Sequence, residues 1–358
     1  MGVFGPNSML AGAVAVAALI LSGCSGGVAT TSESSTVAQP PDPRNLQQAY
    51  VSVVQQVLPS VVQITTGHDL GSGIVFDTKG DIVTNAHVVG QATNFQVRLA
   101  DNSQAIPATL VGTYLPDDLA VIRLPHPPSS LHPAHFGDSA SLQVGDIVMA
   151  MGNPLGLTGS VSDGIISATS RTVTEPAGGS SSPGATLPEA IQTSASINPG
   201  NSGGALVDLA GDVIGVPTLA ALEPAGDGGG TAPAPGIGFA IPSNMVTNVA
   251  GQLIAHNGHV VNSHRAELGV HVITLVGETG QPDGMGVVSV VPGGPAAVAG
   301  IQAGEVITTV DKTPVHSASE LAQVLARLQP AQTVLITLTT PQGGTRIVMV
   351  TLGELPGS

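Results

Sequence analysis

At 358 residues the chain is long enough for two domains of about 150 residues each. Its 9 Lys and Arg stand against 24 Asp and Glu, a formal charge of −15. That balance excludes the clustered cations that nucleic acid or an anionic lipid surface would need. The single cysteine, Cys24, excludes an intrachain disulfide, and with 5 Phe, 2 Tyr and no Trp the cores must be filled by Val, Ile, Leu and Ala.

The first element is the apolar run Met9 to Leu21. As a helix it reaches roughly 20 Å, short of a hydrocarbon core of about 30 Å. It reads as the h-region of a signal peptide. Leu21-Ser22-Gly23-Cys24 resembles a lipoprotein signal, so residues 1–24 are expected to be cut before Cys24 and the thiol lipidated. The first basic residue is Arg44, so this n-region lacks the usual positive charge.

Residues 25–45, rich in Ser, Thr, Gly and Pro, are expected to form a disordered tether. Leu46, Ala49, Tyr50, Val53, Val54, Val57 and Leu58 then recur at helical spacing, and Pro59 ends the helix. From Val61 to Ile241 short β-rich runs alternate with Gly, Pro, Asn and Asp. Val61–Ile64, Gly73–Phe76, Phe95–Leu99 and Leu119–Leu124 are examples, and the pattern predicts a sandwich or a barrel. Thr172 to Leu187 and Glu223 to Pro235 are polar and rich in Gly and Pro, and are expected to be loops.

After Asn257-Gly258 the pattern changes. Leu268-Gly269-Val270, Gly286 to Pro292, Pro295 to Ile301 and Gly304 to Ile307 follow in order. Ser319 to Leu328 carries Leu321, Val324, Leu325 and Leu328 on one helical face, and Val334–Leu338 and Arg346–Leu352 finish as strands.

The chemistry concentrates in three segments. Thr84-Asn85-Ala86-His87-Val88-Val89 offers a histidine just after an apolar run. Asp117-Asp118-Leu119-Ala120-Val121-Ile122 offers a carboxylate just before one, and Gly200-Asn201-Ser202-Gly203-Gly204 offers a serine among glycines. A serine hydroxyl is a poor nucleophile until a base takes its proton. The order His, Asp, Ser is that of a chymotrypsin-type triad. Either Asp117 or Asp118 could be the acid. Backbone N–H groups of Gly200 and Ser202 are expected to form an oxyanion hole, in a turn that only small residues permit. His126, His132 and His135 lie in a Pro-rich stretch without acidic or thiolate partners in register, so no metal site is expected. No phosphate-cradling loop or other cofactor signature is present.

These segments, with Gly71-Ser72-Gly73-Ile74-Val75, Gly152 to Leu157, Asp163 to Ala168 and Gly236 to Asn244, resemble the HtrA (DegP-like) family of envelope serine proteases. The resemblance implies a mainly β chain. It places a chymotrypsin-like protease domain of two Greek-key barrels at 46–258 and an α+β PDZ domain at 262–354. It selects Asp118 as the acid beside His87 and Ser202, because the motif sets the acid directly before the apolar pair. The implied activity is endopeptidase cleavage of unfolded or damaged envelope proteins through an acyl-enzyme, on the periplasmic side of a membrane. The alternatives are a non-proteolytic chaperone or peptide-binding scaffold, and a signalling protease activated by a PDZ ligand. The two polar loops would sense activating ligands and shape the substrate pocket. The helix near Tyr50 would help form a homotrimer. Leu268, Gly269 and Val270 would hold the carboxylate of peptides with free C-termini, as an added strand. Glu267 stands where the family has an apolar or aromatic residue, and its charge would oppose that carboxylate. Ser196, six residues before the nucleophile, makes a basic P1 residue unexpected and a small or medium apolar one expected. Ser194 stands where the family often has Asp.

Overall fold

The computed structural model describes residues 43–67, 69–100, 104–153, 159–175, 185–198, 200–224, 231–277 and 282–357. Cys24 and the expected signal segment and tether, up to residue 42, lie outside the described residues. Pro43 to Asn45, expected in the tether, belong to helix α1 (Pro43–Val57). Proline suits a first helical turn, where its missing N–H would have no partner. Val53 and Val57 are buried, and Tyr50 and Val54 pack beside them. Spacing of three and four residues puts all four on one face. Burying each valine is worth about 1.5 kcal/mol or more. A 3₁₀ turn at Leu58–Ser60, carrying Pro59, follows the helix.

The first barrel is built from β1 (Val61–Thr66), β2 (Asp69–Val75) and β3 (Asp81–Asn85), then the one-turn helix α2 (Ala86–Val89), then β4 (Asn94–Arg98), β5 (Ile106–Tyr114) and β6 (Leu119–Arg123). It closes in the order β1-β2-β3-β6-β5-β4. The second contains β7 (Ile147–Gly152), β8 (Ser160–Glu175), β9 (Ala185–Thr193), β10 (Ala205–Val207), β11 (Val213–Pro224) and β12 (Thr231–Pro242). It closes as β10-β11-β12-β9-β8-β7. Helix α3 (Ser243–Ala255) buries Val246, Val249, Ala250 and Leu253 against the same core as α1.

Alternation explains why these strands read as unbroken apolar runs. On β6, Ala120 and Ile122 point into the first barrel, whereas Leu119 and Val121 face the core shared by the two barrels. On β7, Val148 and Ala150 fill the second barrel while Met149 and Met151 join the shared core. A period of two with both faces buried leaves no polar position. Asp81, at the start of β3, is one of the exceptions. It is fully buried and takes Arg123 Nε and Nη2 at 2.6 and 3.0 Å, a bidentate pair.

The two stretches expected to be loops are partly strand. Thr172–Glu175 continue β8 and Ala185–Leu187 begin β9, paired Val173 to Leu187 and Thr174 to Thr186. Likewise Glu223 and Pro224 pair with Ala232 and Thr231. In the first arm cross-strand pairing carries the polar positions, while Ala185 and Leu187 are buried in the shared core with Val173 packed against it.

The C-terminal sheet follows β13 (Ala266–Glu267) and runs in the order β14 (Val270–Val276), β15 (Pro282–Val290), β16 (Val306–Val310), β18 (Thr333–Thr339), β19 (Thr345–Thr351), with β17 (Thr313–Pro314) on β16 and β20 (Gly353–Glu354) on β13. Helices α4 (Pro295–Val298) and α5 (Ala318–Leu325) cover its core of Met285, Ile307, Leu321, Ile336, Leu338 and Val350. Ser317 caps α5, its side chain accepting from Glu320 N–H. Helix α5 meets the protease hairpin: Gln323 Nε2 donates to Thr174 Oγ1 and Arg327 Nε to Thr172 Oγ1, each at 3.2 Å. Among the described residues no helix is long and apolar enough to cross a membrane.

Candidate active site

The end of β3 and the single turn of α2 carry His87 out of the first barrel. Asp118 stands directly before β6, after the 3₁₀ turn Leu115–Asp117, in the left-handed region at φ 52. Short polar residues such as Asp tolerate that region best after glycine. The twist aims the Asp118 carboxylate at α2. Its Oδ1 accepts from His87 N–H at 2.9 Å and its Oδ2 lies 2.8 Å from His87 Nδ1. Its carbonyl accepts from Ala86 N–H at 3.0 Å and from Asn85 Nδ2 at 3.1 Å. Asp118 is 3% exposed, so its orientation is fixed by protein groups rather than water.

Asp117, the rival acid, points elsewhere. It is buried and pairs with Arg265 Nη1 at 2.6 Å. Burial pushes its carboxyl up, against the pull of Arg265.

Ser202 sits in the turn before β10. Gly200 and Gly203 have φ of 103 and 78, a conformation that suits glycine. A Cβ on Gly203 would strike Ser72 O and Thr84 Oγ1. The turn is tied inward by Asn201 N–H to Asn198 O, Gly203 N–H to Pro217 O and Gly204 N–H to Asn201 O, at 2.9–3.0 Å. Among the described residues no acceptor takes the N–H of Gly200 or of Ser202.

A further residue at the site carries no sequence signal. Thr218, 3% exposed on β11, donates its hydroxyl to Asp118 Oδ2 at 2.5 Å, and its carbonyl accepts from Ser202 Oγ at 3.2 Å. It thus touches both the carboxylate and the serine. A threonine within a β-rich run looks like any strand residue, so composition carries no signal for it.

The residues around the site fall as follows. Ser194 Oγ accepts from Ile165 N–H at 3.0 Å, and Ser196 O accepts from Ser162 Oγ at 2.8 Å. His126 and His132 are exposed. His135 does have an acidic partner, Asp212 Oδ1 at 2.7 Å from Nδ1. The pairing comes from the turn before β11, 77 residues away, which spacing along the chain cannot reveal. In the C-terminal sheet, Leu268 is buried, Gly269 has φ 71 and Val270 opens the edge strand β14. The Leu268 and Gly269 carbonyls accept from Ala296 and Val291 N–H at 3.0 and 2.9 Å. Partial burial pushes the Glu267 carboxyl up.

The trypsin-like peptidase domain family matches residues 71–216, and the PDZ domain family matches residues 286–339. The serine protease PepD of Mycobacterium tuberculosis (strain ATCC 25618 / H37Rv) is 38% identical over 350 residues, covering 93% of this chain and 71% of PepD. The chain belongs to the HtrA (DegP-like) family of serine proteases. The periplasmic serine endoprotease DegP of Escherichia coli (strain K12) is 41% identical over 260 residues, 71% of this chain but only 51% of DegP. Among solved structures, the HtrA-type protease AlgW with a decapeptide covers 86% of this chain and 99% of its own, at 31% identity and TM-score 0.56. This HtrA chain is therefore a serine protease carrying a PDZ domain.

Proposed function

We propose that this protease hydrolyses unfolded or damaged proteins of the cell envelope through His87, Asp118 and Ser202. What supports the reading most is the convergence of His87 and Thr218 on one oxygen of a buried Asp118, with Ser202 held by the same Thr218. Asp118 holds the imidazole by Nδ1 and stabilises its charged form. The Ser202 hydroxyl turns from Thr218 O to the other ring nitrogen. It attacks the peptide carbonyl as His87 takes its proton, which then passes to the leaving amine. The N–H groups of Gly200 and Ser202 receive the oxyanion, each worth about 3 kcal/mol in the transition state. Water then hydrolyses the acyl-enzyme.

The PDZ domain takes free C-termini at Leu268, Gly269 and Val270, where β14 offers an open edge. The proposed setting is the periplasmic side of a membrane, with a lipid on Cys24 and three chains joined near α1. Similarity to a periplasmic endoprotease supports the location.

The test is degradation of an unfolded, disulfide-free protein by the full chain beside its Ser202→Ala twin. Cleavage by the first alone is expected, losing about 10⁶ in rate with the hydroxyl. The fragment ends should show small or medium apolar P1 residues. Cleavage by Ser202→Ala would overturn the proposal.

A further inference from the structure

Glycine turns lack side chains that could hold them in place. Beside the turn's own backbone bonds, two of its carbonyls, those of Gly200 and Ser202, are held by Ser72 of β2. Ser72 is fully buried. Its N–H donates to Ser202 O at 3.0 Å, and its carbonyl accepts from Thr84 Oγ1 at 2.7 Å. Its hydroxyl donates to Gly200 O at 2.5 Å and accepts from Asn153 N–H at 2.8 Å. The direction of the hydroxyl bonds is settled by chemistry. A backbone N–H can only donate, so the one Ser72 proton is committed to Gly200 O.

We propose that Ser72 is a positioning residue for the oxyanion site, acting through the carbonyls of Gly200 and Ser202. The peptide unit is planar. Fixing Gly200 O sets the plane that follows Gly200, and fixing Ser202 O sets the plane that follows Ser202. The N–H of Ser202 lies in the peptide between those two planes. The N–H of Gly200 is one residue's dihedrals from the first. Gly200, at φ 103, would otherwise have the widest freedom in the turn. Asn153 is 1% exposed beside Ser72, and among the described residues neither polar atom of its carboxamide has a partner. Asn201 Nδ2 goes to Ser196 O. The hydroxyl of Ser72 therefore holds Gly200 O without help from either amide. Through Thr84, three residues before His87, the same serine joins the base-bearing strand to the nucleophile turn across the two barrels.

This inference rests on Gly200 and Ser202 being the oxyanion donors, and the experiment separates the two ideas. The full chain, its Ser72→Ala variant and a Ser243→Ala control are compared. Ser243 is also fully buried and donates to a carbonyl, Gly137 O at 2.6 Å, away from the triad. Each is assayed for kcat and KM on a peptide. Each is also titrated with a tripeptide aldehyde ending in valine and with the matching alcohol. Ser202 Oγ adds to the aldehyde carbon, its proton passing to His87, and the adduct oxygen occupies the oxyanion site. The alcohol cannot form that adduct. Ser72→Ala should lose about 10²-fold in kcat, the cost of a misplaced or missing donor, with KM within about threefold. Its aldehyde affinity should fall in parallel while alcohol affinity holds, and Ser243→Ala should keep wild-type kcat.

Unchanged kcat and aldehyde affinity in Ser72→Ala would overturn the proposal. So would equal losses for aldehyde and alcohol, or loss of cooperative unfolding, since Ser72 would then hold the fold and not the turn. A wild-type chain that neither cleaves nor prefers aldehyde over alcohol would overturn the triad reading, and this proposal with it.

Discussion

At the residue scale, Thr218 links the two halves of the site, its hydroxyl donating to Asp118 Oδ2 and its carbonyl accepting from Ser202 Oγ. His87 and Ser202 were legible because a histidine after a strand and a serine among glycines stand out. Within the sequence only family resemblance separates Asp118 from Asp117, and the structure adds a physical difference: Asp118 turns through φ 52 toward α2, whereas Asp117 meets Arg265. Thr218 and Ser72 were not legible in their roles. Their contacts join segments 100 and 128 residues apart, and a hydroxyl bears no mark of its partner. Thr218 gives a direct prediction. Valine keeps the shape and removes the donor to Asp118 Oδ2. A hydrogen bond to a charged group is worth about 1.5–3 kcal/mol. Thr218→Val should therefore lower kcat by at least about tenfold with little change in KM, because in the proposed mechanism the carboxylate orients the base and does not touch the peptide. Steady-state peptide hydrolysis checks this. A rise in KM at constant kcat would mean that Thr218 serves binding instead.

At the element scale, strands with both faces buried were legible, since each is an apolar run ended by turn residues. The arms of β8, β9, β11 and β12 were not. Thr174 and Thr186 pair across the hairpin and share a hydroxyl contact at 3.3 Å beside the buried Leu187, so cross-strand pairing sustains a strand through positions whose composition reads as a loop. The C-terminal sheet poses a different question, because its β16 end carries Glu305, 5% exposed. Arg346 Nε and Nη2 donate to its two oxygens at 2.7 Å each, and Gln302 N–H donates to Oε2 at 2.8 Å. Arg346 foremost holds this carboxyl below the ordinary 4.5 of a glutamate. A depressed folded value means that the stabilisation is present above the unfolded pKa and is lost as pH falls through the folded one. Glu305→Gln should therefore weaken the sheet by about 1.5–3 kcal/mol at pH 7. The gap to wild type should close as the wild-type glutamate protonates in acid. Hydrogen exchange of β16 and β19 amides at several pH values measures it. A gap that stays constant would assign the effect to shape, not charge.

At the scale of the whole molecule, the protease and the PDZ domain meet through polar contacts, and one of them is buried. Arg265, in the segment entering β13, donates to Asp117 Oδ1 and to Pro116 O at 2.6 and 2.7 Å. Asp117 is 2% exposed and immediately precedes the candidate triad acid. The pair therefore anchors the connecting segment to the turn that presents Asp118. Removing one partner from a buried pair costs about 3–5 kcal/mol, whereas replacing both with apolar groups is often neutral. Arg265→Met should thus destabilise the chain strongly near pH 8. The shift of the Asp117 carboxyl is opposite to that of Glu305, although both deficits shrink in acid. Burial already pushes the Asp117 carboxyl up, and Arg265 is the group that pulls it down. Without Arg265 the folded value rises further. A raised folded value supplies stability below the unfolded pKa that is lost as pH rises through the folded one. The Arg265→Met deficit should therefore shrink in acid, and Arg265→Met with Asp117→Leu should recover most of it at every pH. Thermal unfolding of the full chain between pH 4 and 8 decides the matter. If the double variant is as unstable as the single one, the lost bond to Pro116 O would be what matters, and the buried charge would not be the cause.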